Sequence, residues 1–200
     1  GGAAGGAVAS ATEESAWYET SLGYWERASA DVRGMLGGLD ELHAVDVACS
    51  LQLIDQLRAT DRAILPADGV ALDCGSGIGR VSASVLLARF AAVELVEPIA
   101  RFLEKARSQL PAGRVRKLHE MALQDFTPQT AATSAYAVVW MQWVLNYLKD
   151  EDLTLLLRRC AAALLATGRV VIKESVSREG KGFYVDRSDA SITRTDSHFR

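Results

Sequence analysis

Cysteine is scarce in this chain: three residues in 200, Cys49, Cys74 and Cys160, far apart and odd in number. No Cys-x-x-Cys pair occurs, so neither a disulfide framework nor a zinc site is expected. Reduced thiols in an intracellular compartment fit best. The three histidines show no ligand spacing, so no metal is expected, and His43 and His119 read as surface or turn residues. Long apolar runs are missing as well; none reaches the length of a membrane span. Nor is there a surplus of positive charge. Lys and Arg number 22 against 25 Asp and Glu, a net charge of −3, without the basic face of a nucleic-acid binder. The patch Arg114-Val115-Arg116-Lys117 reads as a solvated turn. The opening GGAAGGAVASAT has neither the basic n-region nor the apolar h-region of a signal peptide. It reads as a low-complexity, disordered tail over residues 1–12.

What is present is an ordinary globular composition, 49% hydrophobic and 24% charged, in a length that makes one domain the default. That domain is expected over residues 13–200, with a helical cap at 13–66 and an α/β core at 67–200. Trp17, Leu22 and Trp25 recur at helical spacing over 13–29. A glycine-rich break, VRGMLGG, follows at 32–38. A second helix is expected over 41–60, with Leu42, Val45, Leu53, Ile54 and Leu57 as its apolar face. From residue 69 strands and helices alternate. Strands are expected at Val70–Cys74, Val93–Glu97, Arg114–His119, Ala135–Gln142 and Arg169–Lys173. Helices are expected at Val81–Phe90, Ile99–Leu110 and Asp150–Ala166, the last stopped by Gly168. Nothing after Lys173 reads as a convincing strand. Such alternation predicts a mostly parallel sheet flanked by helices, with its ligand beyond the carboxyl ends of the strands.

The stretch LDCGSGIGR at 72–80 places Gly75, Gly77 and Gly79 directly after the first strand. A dinucleotide fingerprint would have a third glycine where Arg80 stands. The pattern with Asp73 resembles instead motif I of the S-adenosylmethionine-dependent methyltransferases. Glu97 ends the next strand, where a carboxylate can accept two ribose hydroxyl hydrogen bonds. Arg80 suits the free carboxylate of a methionine moiety.

Further segments occur in order: Tyr24-Trp25, VRGMLGG at 32–38, Asp46-Val47, LQDFTP at 123–128, WMQWVLNYL at 140–148, LRRC at 157–160 and VVIKE at 170–174. From about residue 17 onward the set resembles the protein α-N-terminal methyltransferase family, which methylates the α-amino group of proteins that begin Xaa-Pro-Lys. The resemblance implies a Rossmann-like class I methyltransferase fold, S-adenosylmethionine as cofactor, protein or peptide N-termini as substrate, and a cytoplasmic and nuclear location. It implies cofactor contacts for Gly75, Gly77, Arg80, Glu97, Pro98, Ile99, Leu123, Gln124 and Gln142. Trp25, Leu36, Gly37 and Trp143 would shape the peptide channel, and Asp186 and Ser191 would receive the substrate. Asp189 would be the general base. On periodicity alone Trp25 fits a core anchor as well as a channel wall, and Asp186 and Asp189 read as solvated loop acids.

Three departures from the family's pattern bear on the acceptor. Tyr147 stands where the family has a His that assists proton removal, and a phenol is a poor base near neutral pH. Ser175 stands where an Asn holds the amine. The segment after Glu179-Gly180 is longer than in the family. The family's final strand hairpin is expected to be missing, leaving the fifth strand as an open edge. A monomer is expected unless that edge pairs with another chain. A methyltransferase with another acceptor, or a catalytically impaired binding module, are the alternatives.

Overall fold

The computed structural model describes residues 11–61, 63–129 and 135–200. Its centre is set by two strands that are buried at every position, β1 (Val70–Cys74) and β4 (Tyr136–Gln142). Buried on both sides, such runs belong inside a parallel sheet. β2 (Ala92–Val96), β3 (Val115–His119) and β5 (Leu164–Lys173) complete it in the order β3-β2-β1-β4-β5, every pairing parallel. Side chains alternate between two cores. Ala71, Val138 and Trp140 pack on one face with Ile54, Val85 and Phe90; Leu72, Val139 and Met141 pack on the other with Phe126, Leu156 and Cys160. Chain order reverses between β1 and β4, so their carboxyl ends form the switch-point crevice where ligands bind in such sheets.

Helix α4 (Ala100–Gln109) follows β2, and α5 (Asp150–Ala162) follows β4. Three helices precede the sheet: α1 (Ala11–Arg27), the single turn α2 (Val32–Met35) and α3 (His43–Thr60). α1 is tied across the mouth of the crevice. Its Trp17 indole donates to the Tyr147 carbonyl at 2.9 Å, and Tyr18 bonds Asp152. Arg101 on α4 donates to the carbonyls of Trp25, Glu26 and Ala28, closing the far end of α1. Residues 1–10, most of the expected tail, lie outside the described part, and α1 already includes Ala11 and Thr12.

Several expected boundaries are corrected. α5 stops at Ala162, and Gly168 does not end it but lies within β5. Leu164 packs on one core and Leu165 on the other, the alternation of a strand. Gly168 sits at a bulge, where two steps along β4 oppose five along β5, and a Cβ there would lie 2.7 Å from the Tyr136 carbonyl oxygen. The helix expected over Val81–Phe90 contains a π-helical turn at Ser82–Leu86, with Leu87 N–H reaching back to Ser82 O. Strands do follow Lys173: β6 (Tyr184–Asp186) and β7 (Ser191–Thr193) form an antiparallel hairpin, followed by the short helix α6 (Asp196–Phe199). The hairpin is a separate two-stranded sheet, and β5 remains at the edge of the main one. Strands of three residues are too short to show a period, and what fixes them is distant. Arg194, fully buried, donates to Asp150 and to the carbonyls of Leu145 and Leu148. His119 is half-buried rather than a surface residue, paired with Glu94 at 3.0 Å and edge-on to Phe126.

Helix α3 keeps only part of its expected face. Ile54 is buried and Leu57 packs on the core as expected, but Val45 and Leu53 are exposed, as is Leu42 just before the helix, and Asp46 and Ser50, on the same stripe as Ile54, are buried instead. The inward polar residues have partners on the sheet.

Candidate active site

A cavity of about 770 Å³ opens at the switch point, between the ends of β1, β2 and β4 below and α1 and α2 above. All nine residues expected to hold the cofactor line it: Gly75, Gly77, Arg80, Glu97, Pro98, Ile99, Leu123, Gln124 and Gln142. So do Trp25, Leu36, Gly37, Trp143, Tyr147 and Ser175. Asp186, Asp189 and Ser191 do not.

The glycine loop runs from β1 toward the π-helical turn. Gly75 has φ +68°, and a Cβ there would lie 2.3 Å from Val144 Cγ2, so the loop packs directly on the Val144 side chain just after β4. A Cβ on Gly77 would lie 2.5 Å from the Met35 sulfur of α2. Ser76 Oγ, between them, is buried without a hydrogen-bond partner among the described residues. Glu97 faces this loop, 6% exposed. One carboxylate oxygen accepts from Gly77 N–H at 2.9 Å and the other from Ile99 N–H at 3.0 Å. Burial outweighs these bonds and, with the nearby Asp73 charge, pushes the carboxyl up to about 7. Asp73, within β1, accepts from both the N–H and the hydroxyl of Ser82, which pins the first turn after the loop. Its burial raises it to about 6.

Arg80 is 6% exposed. Its Nη1 donates to Asp46 Oδ2 at 2.6 Å and to His43 Nδ1 at 3.2 Å, and its guanidinium lies over the Trp143 ring, 5.4 Å from the centroid. Gln142 is fixed in orientation: its oxygen accepts from the Trp140 indole at 3.0 Å and its nitrogen donates to Asp46 at 2.8 Å.

Trp143 has φ +55°, an unusual conformation for a bulky residue. Two groups hold the backbone there. Trp143 N–H donates to Lys173 O at 2.9 Å, and Glu174 accepts from the N–H groups of Val144 at 2.5 Å and Leu145 at 2.6 Å. Burial pushes Glu174 up to about 7 against those bonds. Glu174 thereby caps the 3₁₀ turn Leu145–Tyr147. The Tyr147 ring meets Trp25 edge-on at 5.8 Å, and burial, reinforced by the Asp189 charge, pushes its hydroxyl well above the usual phenol range.

Asp189 therefore stands close enough to Tyr147 to act on it electrostatically, though off the cavity wall. Among the described residues one of its carboxylate oxygens is buried without a hydrogen-bond partner, and so is the Asn146 side-chain oxygen; the Asn146 amide donates to Ser175 O at 3.3 Å. Asp186 is turned away, accepting from the N–H and hydroxyl of Ser188, and Ser191 pairs with it across the hairpin. The sequence assigns no role to Asp46, Glu174, Asn146 or Arg194, although the first three lie in segments that carry the family resemblance; the four-residue spacing of Asp46 and Ser50 on α3 is a further signal for the first, and Arg194 carries none.

A family model for AdoMet-dependent proline di-methyltransferases matches residues 13–200. Alpha N-terminal protein methyltransferase 1 of Drosophila melanogaster is 39% identical over 189 residues, covering 92% of this chain and 64% of the relative. The chain thus spans less than two thirds of that relative's length. The N-terminal Xaa-Pro-Lys N-methyltransferase 1 of Danio rerio is 35% identical, covering 91% of this chain and 80% of its own. Among solved structures, a SAM-dependent methyltransferase of Leishmania major superposes with a TM-score of 0.81 at 34% identity, covering 92% of this chain and 70% of its own. With its parallel sheet, its glycine loop after β1 and its acid after β2, the chain belongs to the AdoMet-dependent proline di-methyltransferase family.

Proposed function

We propose that this chain transfers methyl groups from S-adenosylmethionine to the free α-amino group of proteins that begin Xaa-Pro-Lys. The observation that carries the reading is one cavity with two kinds of wall. Glycine loop, Glu97 and Arg80 line its floor, and Trp25, Leu36 and Trp143 line its mouth.

The residues present suit the cofactor. Glu97 offers carboxylate oxygens to a ribose diol, Arg80 a guanidinium to the amino-acid carboxylate, Ser76 an unpartnered hydroxyl, and Leu123 and Gln124 a wall for the base. When bound, S-adenosylmethionine supplies an electrophilic methyl on a sulfonium leaving group. The chain supplies position and proton handling. A free α-amino group has a pKa of about 7.7–8.0 against about 10.4 for lysine, so a useful fraction is already neutral near pH 7. Tyr147, pushed far up, stays protonated and acts as a hydrogen-bonding wall rather than a base. Asp189, through its unpartnered oxygen, is the group proposed to take the proton. The second orphaned acceptor, on Asn146, also favours a donor-rich ligand such as an amine, because a buried acceptor left unpaired costs about 1–3 kcal/mol. The Trp25 and Trp143 faces suit the cationic, methylated product. A second-position proline, with fixed φ and no N–H, suits an apolar channel, and a third-position lysine would reach past the cavity wall toward the loop of the β6–β7 hairpin, where Asp186 bonds Ser188. A monomer in the cytoplasm and nucleus goes with this reading; among the described residues no helix is long and apolar enough to cross a membrane.

A second reading, a methyltransferase with another acceptor, is favoured by Tyr147 and Ser175. The test is mass spectrometry of a Ser-Pro-Lys peptide incubated with the protein and S-adenosylmethionine, beside the same peptide acetylated at its terminus. Methyl mass is expected on the free peptide alone. Gain on neither would reject α-amino transfer by this chain.

A further inference from the structure

We infer that Lys173, at the end of β5 and off the cavity wall, sets how strongly the site holds an amino-acid carboxylate, and that it acts through Asp46. The inference rests on the reading that Arg80 takes the carboxylate of the cofactor.

The Asp46 side chain is 4% exposed and serves two cations at once. Oδ2 takes Arg80 Nη1; Oδ1 takes both the Gln142 amide and the Lys173 ammonium, which is anchored further by Ser50 Oγ at 2.9 Å and the Asp46 carbonyl at 3.2 Å. The Arg80 guanidinium, which can only donate, also contacts His43 Nδ1. Besides that imidazole the contact cluster holds two cations and one carboxylate. The next acid, Asp73, spends its hydrogen bonds on Ser82 and, among the described residues, bonds neither cation, although it interacts with Arg80 through charge at longer range. Bonding from Lys173 and Arg80 outweighs burial and keeps Asp46 below the ordinary carboxylate range, so it stays ionised.

Two consequences follow for Arg80. Among the described residues only its Nη1 is engaged, leaving the Nε and Nη2 edge, the edge that grips a carboxylate with two parallel bonds. And because Lys173 draws on the same carboxylate, Asp46 orients Arg80 without cancelling its charge. Without Lys173, Arg80 and Asp46 form a closed neutral pair, and a second carboxylate entering beside them meets no surplus positive charge. In a water-poor crevice that difference is felt over several ångströms. Lys173 is thus a positioning and charge-balancing residue for the cofactor's amino-acid end.

Calorimetric titration with two ligands tests this. S-adenosylhomocysteine carries the amino-acid carboxylate; 5′-methylthioadenosine lacks it and keeps the nucleoside. Lys173→Met is expected to weaken S-adenosylhomocysteine on the order of 3–10-fold while leaving 5′-methylthioadenosine unchanged, and Lys173→Arg to restore the wild-type ratio. Equal loss for both ligands would mean that Lys173 only maintains the fold, and no loss for either would mean that its charge does not reach the site; each overturns the inference. Arg80→Met separates it from the reading beneath. If that variant keeps the wild-type preference for S-adenosylhomocysteine, Arg80 does not hold the carboxylate, and both fall. A selective loss in Arg80→Met without one in Lys173→Met rejects the role of Lys173 alone.

Discussion

Glu97 offers the sharpest test of how the site works. Its carboxyl is raised from 4.5 to about 7 by burial, so in the free protein it titrates in the neutral range. Ribose hydroxyls donate, and only the ionised carboxylate offers both oxygens as acceptors. Cofactor binding should therefore select the ionised form. Near pH 8 about nine-tenths of Glu97 is ionised and near pH 6 about one-tenth, so affinity for S-adenosylhomocysteine should fall by up to about tenfold between them. Stability of the free protein runs the other way. The folded pKa lies above the unfolded one, so the group's contribution is complete below about pH 4.5 and is lost as pH rises through about 7. Glu97→Gln removes the titration from both measurements. It also turns an amide donor toward Gly77 N–H or Ile99 N–H, at a cost of about 1–3 kcal/mol. The assay is calorimetric titration with S-adenosylhomocysteine across this range, beside thermal melts of the ligand-free protein. A wild-type affinity that stays flat, or a Glu97→Gln variant that keeps the wild-type slope, would refute the reasoning. In the second case the titrating group would be Asp73, which burial places at about 6.

Two further outcomes follow from geometry. Gly75→Ala combines a Cβ 2.3 Å from Val144 with φ +68°, and should cost about 2–5 kcal/mol in urea unfolding; a cost below 1 kcal/mol would mean that the loop after β4 is free to retreat. Arg194→Met leaves the carbonyls of Leu145 and Leu148 without their buried donor and Asp150 without its cation. A loss of about 2–5 kcal/mol is expected, together with faster proteolysis within the β6–β7 hairpin, and an unchanged cleavage pattern would show that the hairpin is held by other contacts.

Local pattern was enough to read the α/β core. Apolar runs such as AYAVVWMQ announce central strands. The glycine loop after β1 and the acid after β2 follow from spacing along the chain, because a strand end delivers its next residues to one place whatever the rest of the sheet does. α5 shows the limit. Its leucines keep a helical rhythm past Ala162, yet Leu164 and Leu165 belong to β5, which begins where Leu164 pairs with Tyr136. The β6–β7 hairpin shows another limit, since its strands are three residues long and it is fastened by Arg194 to backbone more than forty residues away.

Helix α3 separates the two kinds of information most clearly. That residues 43–60 form a helix is written in their own sequence. Which face turns inward is not. Ile54 and Leu57 turn inward as hydrophobicity predicts, but along the rest of the helix apolar Val45 and Leu53 lose the inward positions to polar Asp46 and Ser50. The outcome is decided by Arg80, Gln142 and Lys173, which lie 34, 96 and 127 residues from Asp46 along the chain. Only the folded sheet brings two cations and an amide to one point. A buried carboxylate is tolerable only where such partners meet it, so the tertiary structure, and not the helix, put Asp46 behind Arg80 and Gln142 of the cavity wall.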